Sequence, residues 1–205
     1  MRIYLDFDNT LVATKVFFRD YYKPILQGSG STEREIEVSY SYFANGTSTQ
    51  GELFSPMRQM EMLGWRTQTM EEALSQIENI LREHRSFIFP DVVETLQALR
   101  NSGHTLILLT FGQYDFQKQK LISSGIAHLF DEIMITGEDK VEVVSRDREG
   151  EEIVFVDDKA AFMPRLNQLG VRTFHMCRLE VDTEKCSRCE AEHEITSLKE
   201  LLNYL

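Results

Sequence analysis

Arg2-Ile3-Tyr4-Leu5-Asp6-Phe7-Asp8-Asn9-Thr10 is the stretch on which the fold turns. An apolar run that stops at carboxylates and a turn-forming Asn reads as a buried strand, Arg2–Phe7, leading into a loop. Side chains alternate along an extended chain, so Asp6 and Asp8 point to the same side, roughly 6.6 Å apart, while Phe7 faces away. Two carboxylates can therefore address one site. Four further runs share this character: Thr105–Thr110, Glu132–Thr136, Ile153–Asp157 and Val171–Met176. Helical patterns separate them. Asp91–Ser102 puts Val92, Leu96 and Leu99 on one face and stops at Gly103, Asp115–Ser124 stops at Gly125, and a short segment opened by Pro164 stops at Gly170. Continuous apolar strands alternating with helices imply an α/β fold, a doubly wound parallel sheet covered on both faces.

Residues 13–88 read differently, with hardly any strand signal and several helical patterns. Met70, Ala73, Leu74, Ile77 and Leu81 follow helical spacing behind a Thr69-x-x-Glu72 capping box. A second helix holds Phe54, Met57, Met60 and Leu63, and Leu11 to Gln27 is a third. Gly28–Ser31 and Asn45–Gly51 have loop composition. The simplest assembly is a small α-helical domain, 13–88, inserted after the first strand of a core made of 1–12 and 89–205.

In open α/β sheets ligands bind outside the carboxyl ends of the strands. Here those ends are polar: Asp6 to Thr10 after the first strand, Thr110 after the second, Lys140 four residues beyond the third, Asp157-Asp158 at the fourth. Three or four acidic groups converging on one place repel one another unless a cation or proton neutralises them, and hard oxygen donors of this kind suit Mg²⁺. Each residue alone has an ordinary reading as turn chemistry or a solvated charge. The specific signal is all of them in order at strand ends.

That order resembles the haloacid dehalogenase superfamily, whose opening Asp-x-Asp-x-Thr matches Asp6-Phe7-Asp8-Asn9-Thr10, followed by a Thr or Ser (Thr110), a Lys (Lys140) and an acidic pair (Asp157-Asp158). The stretch from Thr110 to Lys140, with Gln117, Lys120-Leu121, Gly125 and Phe130-Asp131, is similar to phosphatase members. The resemblance implies a Rossmann-like core with a helical cap and a Mg²⁺-dependent phosphatase acting on a small phosphorylated metabolite. Asp6 would be the nucleophile that forms an aspartyl-phosphate, and Asp8 the proton donor to the leaving alkoxide and acceptor from the hydrolytic water. Asp6, Asp8 through its backbone carbonyl, and Asp157 would hold Mg²⁺, with Asp158 beside them as a partner of the metal or of Lys140. Thr10, Thr110, Phe111 and Lys140 would bind the phosphoryl oxygens, Lys140 neutralising charge in the transition state.

Dehalogenases lack the second aspartate because a halide needs no proton, so Asp8 favours phosphoryl transfer. Lys159 competes for the role of Lys140. Phe111-Gly112 after Thr110, Val141 after Lys140 and the adjacency of Asp157 and Asp158 depart from the usual pattern, though none removes a catalytic group. A phosphomutase, a phosphonatase or a non-hydrolytic phosphate-binding regulatory module remains as an alternative. A phosphonatase would need a Schiff-base lysine from the cap, where Lys15 and Lys23 are the only lysines. The substrate-facing choice among Tyr21, Arg34, Tyr40, Arg58 and Trp65 stays open, as does oligomeric state.

The composition narrows the remaining classes. Among 205 residues, 22 Lys+Arg stand against 33 Asp+Glu, a net charge of −11, so binding to nucleic acid or an anionic membrane would oppose the protein's own field. No run approaches the ~18 apolar residues of a membrane span, and no signal-like segment follows Met1, so a cytoplasmic location is expected. Three cysteines are too few for a disulfide scaffold. Cys177, Cys186 and Cys189, in an insertion at 177–193 that also holds His193, allow a structural zinc, a redox pair or unligated thiols. A final helix is expected over Ser197–Leu202.

Overall fold

Along the central strands successive apolar side chains face opposite ways, and both faces are covered. The computed structural model describes residues 1–44, 52–82, 87–147, 150, 152–179 and 190–205. Six parallel strands form one sheet: β1 (Arg2–Leu5), β2 (Thr105–Phe111), β3 (Glu132–Thr136), β4 (Ile153–Asp157), β5 (Arg172–Met176) and β6 (His193–Ile195). Their order is β3-β2-β1-β4-β5-β6, which reverses direction between β1 and β4 and so opens a crevice at their carboxyl ends.

On one face Ile3, Leu5, Leu106, Leu108, Val154 and Val156 pack on α6 (Val92–Asn101) and α7 (Tyr114–Ser124). On the other, Tyr4, Ile107, Leu109 and Phe155 pack on α8 (Lys140–Arg146) and α9 (Met163–Gln168). The strand β6 was not expected. It has three residues, of which only Ile195 is buried, so no apolar run marks it. The last segment, Leu198–Asn203, is a 3₁₀ helix rather than an α-helix, started by a capping box of Ser197 and Glu200.

Between β1 and α6 the chain forms α1 (Thr14–Phe17), α2 (Lys23–Gly28), α3 (Glu33–Ala44), α4 (Pro56–Met62) and α5 (Thr67–Arg82). Phe17, Tyr22, Leu26, Ile36, Met60, Ala73, Ile77 and Leu81 give this insertion its own apolar core. A π-helical turn, Phe18–Tyr22, separates α1 from α2 and interrupts the single helix expected there. The helix α5 begins at Thr67, with Met70 N already bonded to Arg66 O, so Thr69 lies inside its first turn and does not cap it. The Trp65 indole, donating to Ser31 Oγ (2.9 Å), pins the chain just ahead of that start. The expected 45–51 loop lies outside the described residues.

The loop after β1 is tied at both ends. Leu11 N and Val12 N donate to Phe7 O (3.0 and 3.1 Å), and Asn9 takes the left-handed conformation (φ 59°) that Asn tolerates better than most residues. From below, the buried Arg178 donates to Thr10 O through Nε and Nη2 (3.1 and 2.9 Å) and to both carboxylate oxygens of Asp91 through Nη1 (2.9 Å each). Asp91 also accepts from Ser197 Oγ (2.7 Å) and Leu198 N. These bonds hold its carboxyl below the ordinary range against the opposing effect of burial. Arg178→Ala would strand Asp91 and the Thr10 carbonyl, with an expected loss of about 3 kcal/mol in urea unfolding. A loss below about 1 kcal/mol would mean that water replaces the guanidinium there.

Candidate active site

The parallel pairing of β1 with β4, Leu5 opposite Val156, brings the residues that follow them, Asp6 and Asp157, side by side. Asp6 N donates to Val156 O (2.9 Å) and extends the pairing into the site. Into this corner α8 delivers its first residue, Lys140, with Asp139 capping the helix through Val141 N (2.8 Å). The Lys140 ammonium bonds Asp6 Oδ1 and, at 2.7 Å, Asp157 Oδ2, and all three side chains are at least nine-tenths buried. Lys159, the competing lysine, gives its backbone N–H to Asp157 Oδ1 (2.8 Å) and lines the cavity at its rim.

A single ammonium cannot neutralise Asp6, Asp157 and Asp158, whose ligand oxygens lie within 4.8 Å of one another. Burial raises the Asp6 pKa to about 7, the Lys140 charge working against that rise and the Asp157 and Asp8 charges adding to it. Asp158 is raised well above the ordinary carboxyl value, by burial first and then by Asp6 and Asp157. Burial disfavours the Lys140 charge, yet Asp157 and Asp6 outweigh it and hold the ammonium pKa above the usual lysine value. An excess of negative charge on hard oxygens is the donor chemistry of a Mg²⁺ site, and Asp6, Asp157 and Asp158 fit that ion.

Asp8 has the opposite environment. Burial pushes its pKa up, but Lys120, Thr14 and Gln117 pull it down further, to about 2. Lys120 and Thr14 bond Asp8 Oδ1, and Gln117 Nε2 bonds Oδ2 at 2.8 Å. Lys120 also donates to Gln117 Oε1 (2.7 Å), while Gln117 Nε2 lies 3.0 Å from Thr110 Oγ1 and 2.9 Å from Phe111 O. The Gln117 side chain fills the place where a Cβ on Gly112 would fall, 2.9 Å away, at a residue with φ +153°. That accounts for a glycine two residues past the strand-end Thr110.

The order of polar residues at the strand ends assigns no role to Gln117 or Lys120. Their signal lies in α7, where Gln117, Lys120 and Ser124 share the buried face with Leu121 at helical spacing. A helix that buries polar groups at those positions is aiming them at something.

Asp6, Asp8, Asn9, Phe111, Lys140 and Asp158 line one cavity of about 170 Å³. Thr110 and Asp157 lie just behind its wall, almost fully buried. Thr10 does not reach it. Its side chain is fully buried, and its hydroxyl has no hydrogen-bond partner among the described residues. Asn9 Nδ2 reaches Asp158 Oδ2 at 3.4 Å, and His175 Nε2 lies 3.0 Å from Asp158 O. The insertion roofs the cavity with Tyr40, whose hydroxyl pKa is pushed up to about 12 by burial and then by the charges of Asp8 and Asp158. Tyr21, Arg34, Arg58 and Trp65 are not in its wall.

Residues 3–143 match the model of the haloacid dehalogenase-like hydrolase family. The chain is a haloacid dehalogenase-like hydrolase. The phosphoserine phosphatase of Thermus thermophilus is 38% identical to it over 69 residues, 33% of this chain and only 28% of that protein. A HAD-hydrolase of Bacillus subtilis bound to magnesium has the same fold, with a TM-score of 0.69 at 16% identity over 100% of this chain and 98% of that one. A HAD phosphatase from Thermococcus onnurineus gives 0.66 at 19% identity over 99% and 96%. Among the described residues of this hydrolase, no helix is long and apolar enough to cross a membrane.

The raised Asp6 carboxyl makes a prediction for metal-free protein. A carboxyl that titrates near 7 when folded and near 4 when unfolded binds more protons in the folded state between those values, so stability falls as pH rises from about 4 to 7. Asp6→Asn removes that loss. In EDTA its stability to urea should gain on wild type progressively from pH 5 to pH 8, by about 2–3 kcal/mol over that range. A difference that does not vary with pH would mean that Lys140 keeps Asp6 ionised throughout.

Proposed function

We propose that this hydrolase is a Mg²⁺-dependent phosphatase that hydrolyses a small phosphomonoester through an aspartyl-phosphate on Asp6. The reading rests above all on the sharing of one cavity floor by Asp6, bonded to Lys140, and Asp8, bonded to Lys120. In this reading 1–12 and 89–205 are the catalytic core, and 13–88 is a cap that covers the substrate and excludes water.

Asp6, Asp157 and Asp158, with the Asp8 backbone carbonyl, would hold Mg²⁺, whose charge offsets the repulsion between carboxylate and phosphoryl group. Lys140 and Thr110 orient the phosphoryl oxygens, together with backbone N–H groups of the loop that contains Thr10 and of Phe111. An Asp6 carboxylate oxygen attacks phosphorus as the bond from phosphorus to the leaving oxygen breaks. Asp8 begins as a carboxylate. The phosphoryl charge arriving beside it raises its pKa, so that Asp8 takes up a proton from solvent and passes it to the leaving oxygen. Asp8 then accepts a proton from the water that attacks phosphorus and breaks the acyl-phosphate bond, which frees Asp6 and releases phosphate. Gln117 and Lys120 position Asp8 for both transfers. A phosphonatase reading is disfavoured, because neither Lys15 nor Lys23 lines the cavity and Lys23 is paired with Glu33 and Glu37.

A structural zinc is a separate proposal. His175, Cys177 and Glu194 bring donor atoms within 4.8 Å, and Cys177 Sγ lies 3.2 Å from His175 Nδ1. Cys186 and Cys189, the other expected ligands, lie outside the described residues. Protein purified without chelator should then carry one zinc per chain, and a substoichiometric content by metal analysis removes the site.

Phosphate release from p-nitrophenyl phosphate should require Mg²⁺, stop in EDTA and be lost in Asp6→Asn. Asp8→Asn should lower kcat by about 10²–10⁴ for alkyl phosphates and by less for p-nitrophenyl phosphate, whose leaving group needs little protonation. Equal losses for both substrates would place Asp8 in binding rather than proton transfer.

A further inference from the structure

We propose, resting on the phosphatase reading, that the leaving group is uncharged and apolar and carries no more than a single small ring. The described residues of the insertion that line the cavity are Thr14 and six aromatics: Phe17, Phe18, Tyr22, Tyr40, Phe43 and Phe54. The rings touch in series, Phe18 to Tyr40 (centroids 4.1 Å apart), Tyr40 to Phe54 (5.2 Å) and Phe54 to Phe116 of α7 (5.8 Å). This belt runs from the insertion to the core. The same cavity, about 170 Å³ in all, also takes in Asp6, Asp8 and Lys140 at the phosphoryl end, so the belt leaves room for a small leaving group only.

Charge placement argues for neutrality. Among the described residues Lys120, Lys140 and Lys159 are the cations that line the cavity, and all come from the core, at the end assigned to the phosphoryl group. No described cation of the insertion lines the cavity, and three of them are paired on the surface: Arg19 with Asp20, Lys23 with Glu33 and Glu37, Arg58 with Glu61. A carboxylate or second phosphate on the leaving group would meet rings and the Thr14 hydroxyl there with no described cation beside it, and a cationic one would meet no described carboxylate of the insertion, since Asp6, Asp8 and Asp158 all come from the core. One polar contact remains on offer. Tyr22 turns its hydroxyl to Gln59 Oε1 (2.7 Å), whereas the Tyr40 hydroxyl makes no hydrogen bond among the described residues and can meet a hydroxyl or ether on the ring.

The test compares phosphate esters of primary alcohols, so that intrinsic leaving-group reactivity differs little: benzyl phosphate, ethyl phosphate, O-phosphoserine, phosphocholine, glucose 6-phosphate and uridine 5′-monophosphate, each with Mg²⁺. Benzyl phosphate should exceed every other ester by about tenfold or more in kcat/KM, or about 1.4 kcal/mol. Tyr40→Leu and Phe54→Leu should each lower the benzyl-to-ethyl ratio at least threefold, a ratio from which a general loss of folded enzyme cancels. Preference for phosphoserine, phosphocholine, the sugar phosphate or the nucleotide would overturn the proposal, as would a ratio that neither substitution moves. If no ester turns over, the phosphatase reading fails on its own, and calorimetry with Asp6→Asn and Mg²⁺ decides the inference. Tighter binding of benzyl phosphate than of ethyl phosphate and phosphoserine supports it, and the reverse order overturns it.

Discussion

One ammonium held between two carboxylates is the constraint on which the rest of this molecule depends. The parallel pairing of β1 and β4 leaves Asp6 and Asp157 adjacent as the strands end, and Lys140 arrives from the far side of the sheet, after β3. Burying ions is costly in a low dielectric, and it is tolerated only where partners are placed to within a few tenths of an ångström. The register of β1 against β4, the capping of α8 by Asp139 and the tethering of the Thr10 carbonyl by Arg178 all serve that placement.

Two residues further on, the same physics has the opposite outcome. Burial raises the proton affinity of Asp6, and the charges of Asp157 and Asp8 add to that rise against the opposing Lys140. Asp8 is buried as well, but Lys120 beside it, with the Thr14 hydroxyl and the Gln117 amide, outweighs burial and its proton affinity falls. Environments that drive neighbouring carboxyls apart are how one loop can supply both a metal ligand and an acid–base group. The division is made by α7, which buries Gln117 and Lys120 where an ordinary amphipathic helix would bury leucines.

What could be read in advance follows from this arrangement. Strands β1 to β5 were legible because burial on both faces makes each a continuous apolar run, and their polar ends stood out because charge interrupts such runs. The three residues of β6 were not, since pairing with Phe174 to Met176, rather than composition, makes them a strand. Asp6, Asp8, Lys140 and Asp157 could be picked out by position at strand ends. The partnership of Lys120 and Gln117 with Asp8 could not, because it joins residues more than a hundred positions apart through a helix whose angular phase the sequence leaves open. The π-helical turn at Phe18–Tyr22 was equally hidden, since a helix and its one-residue widening share the same local composition.

The molecule therefore separates its two tasks by chemistry as well as by segment. Among the described residues, every lysine that lines the cavity comes from the core, where in the proposed reading each can meet a carboxylate or a phosphoryl oxygen, while the insertion contributes Thr14 and rings. On the proposed phosphatase reading, a phosphoryl group is nearly the same in every ester, so the charged half of the site would have little freedom to vary. The aromatic half has more, since rings packed edge to face hold their shape through area and contact rather than through paired charges. Changes there alter what fits above the phosphoryl group while leaving the balance among Asp6, Asp157 and Lys140 undisturbed, because no ring of the insertion bonds to any of the three. Selectivity can then evolve in the insertion at little cost to the electrostatics of the core.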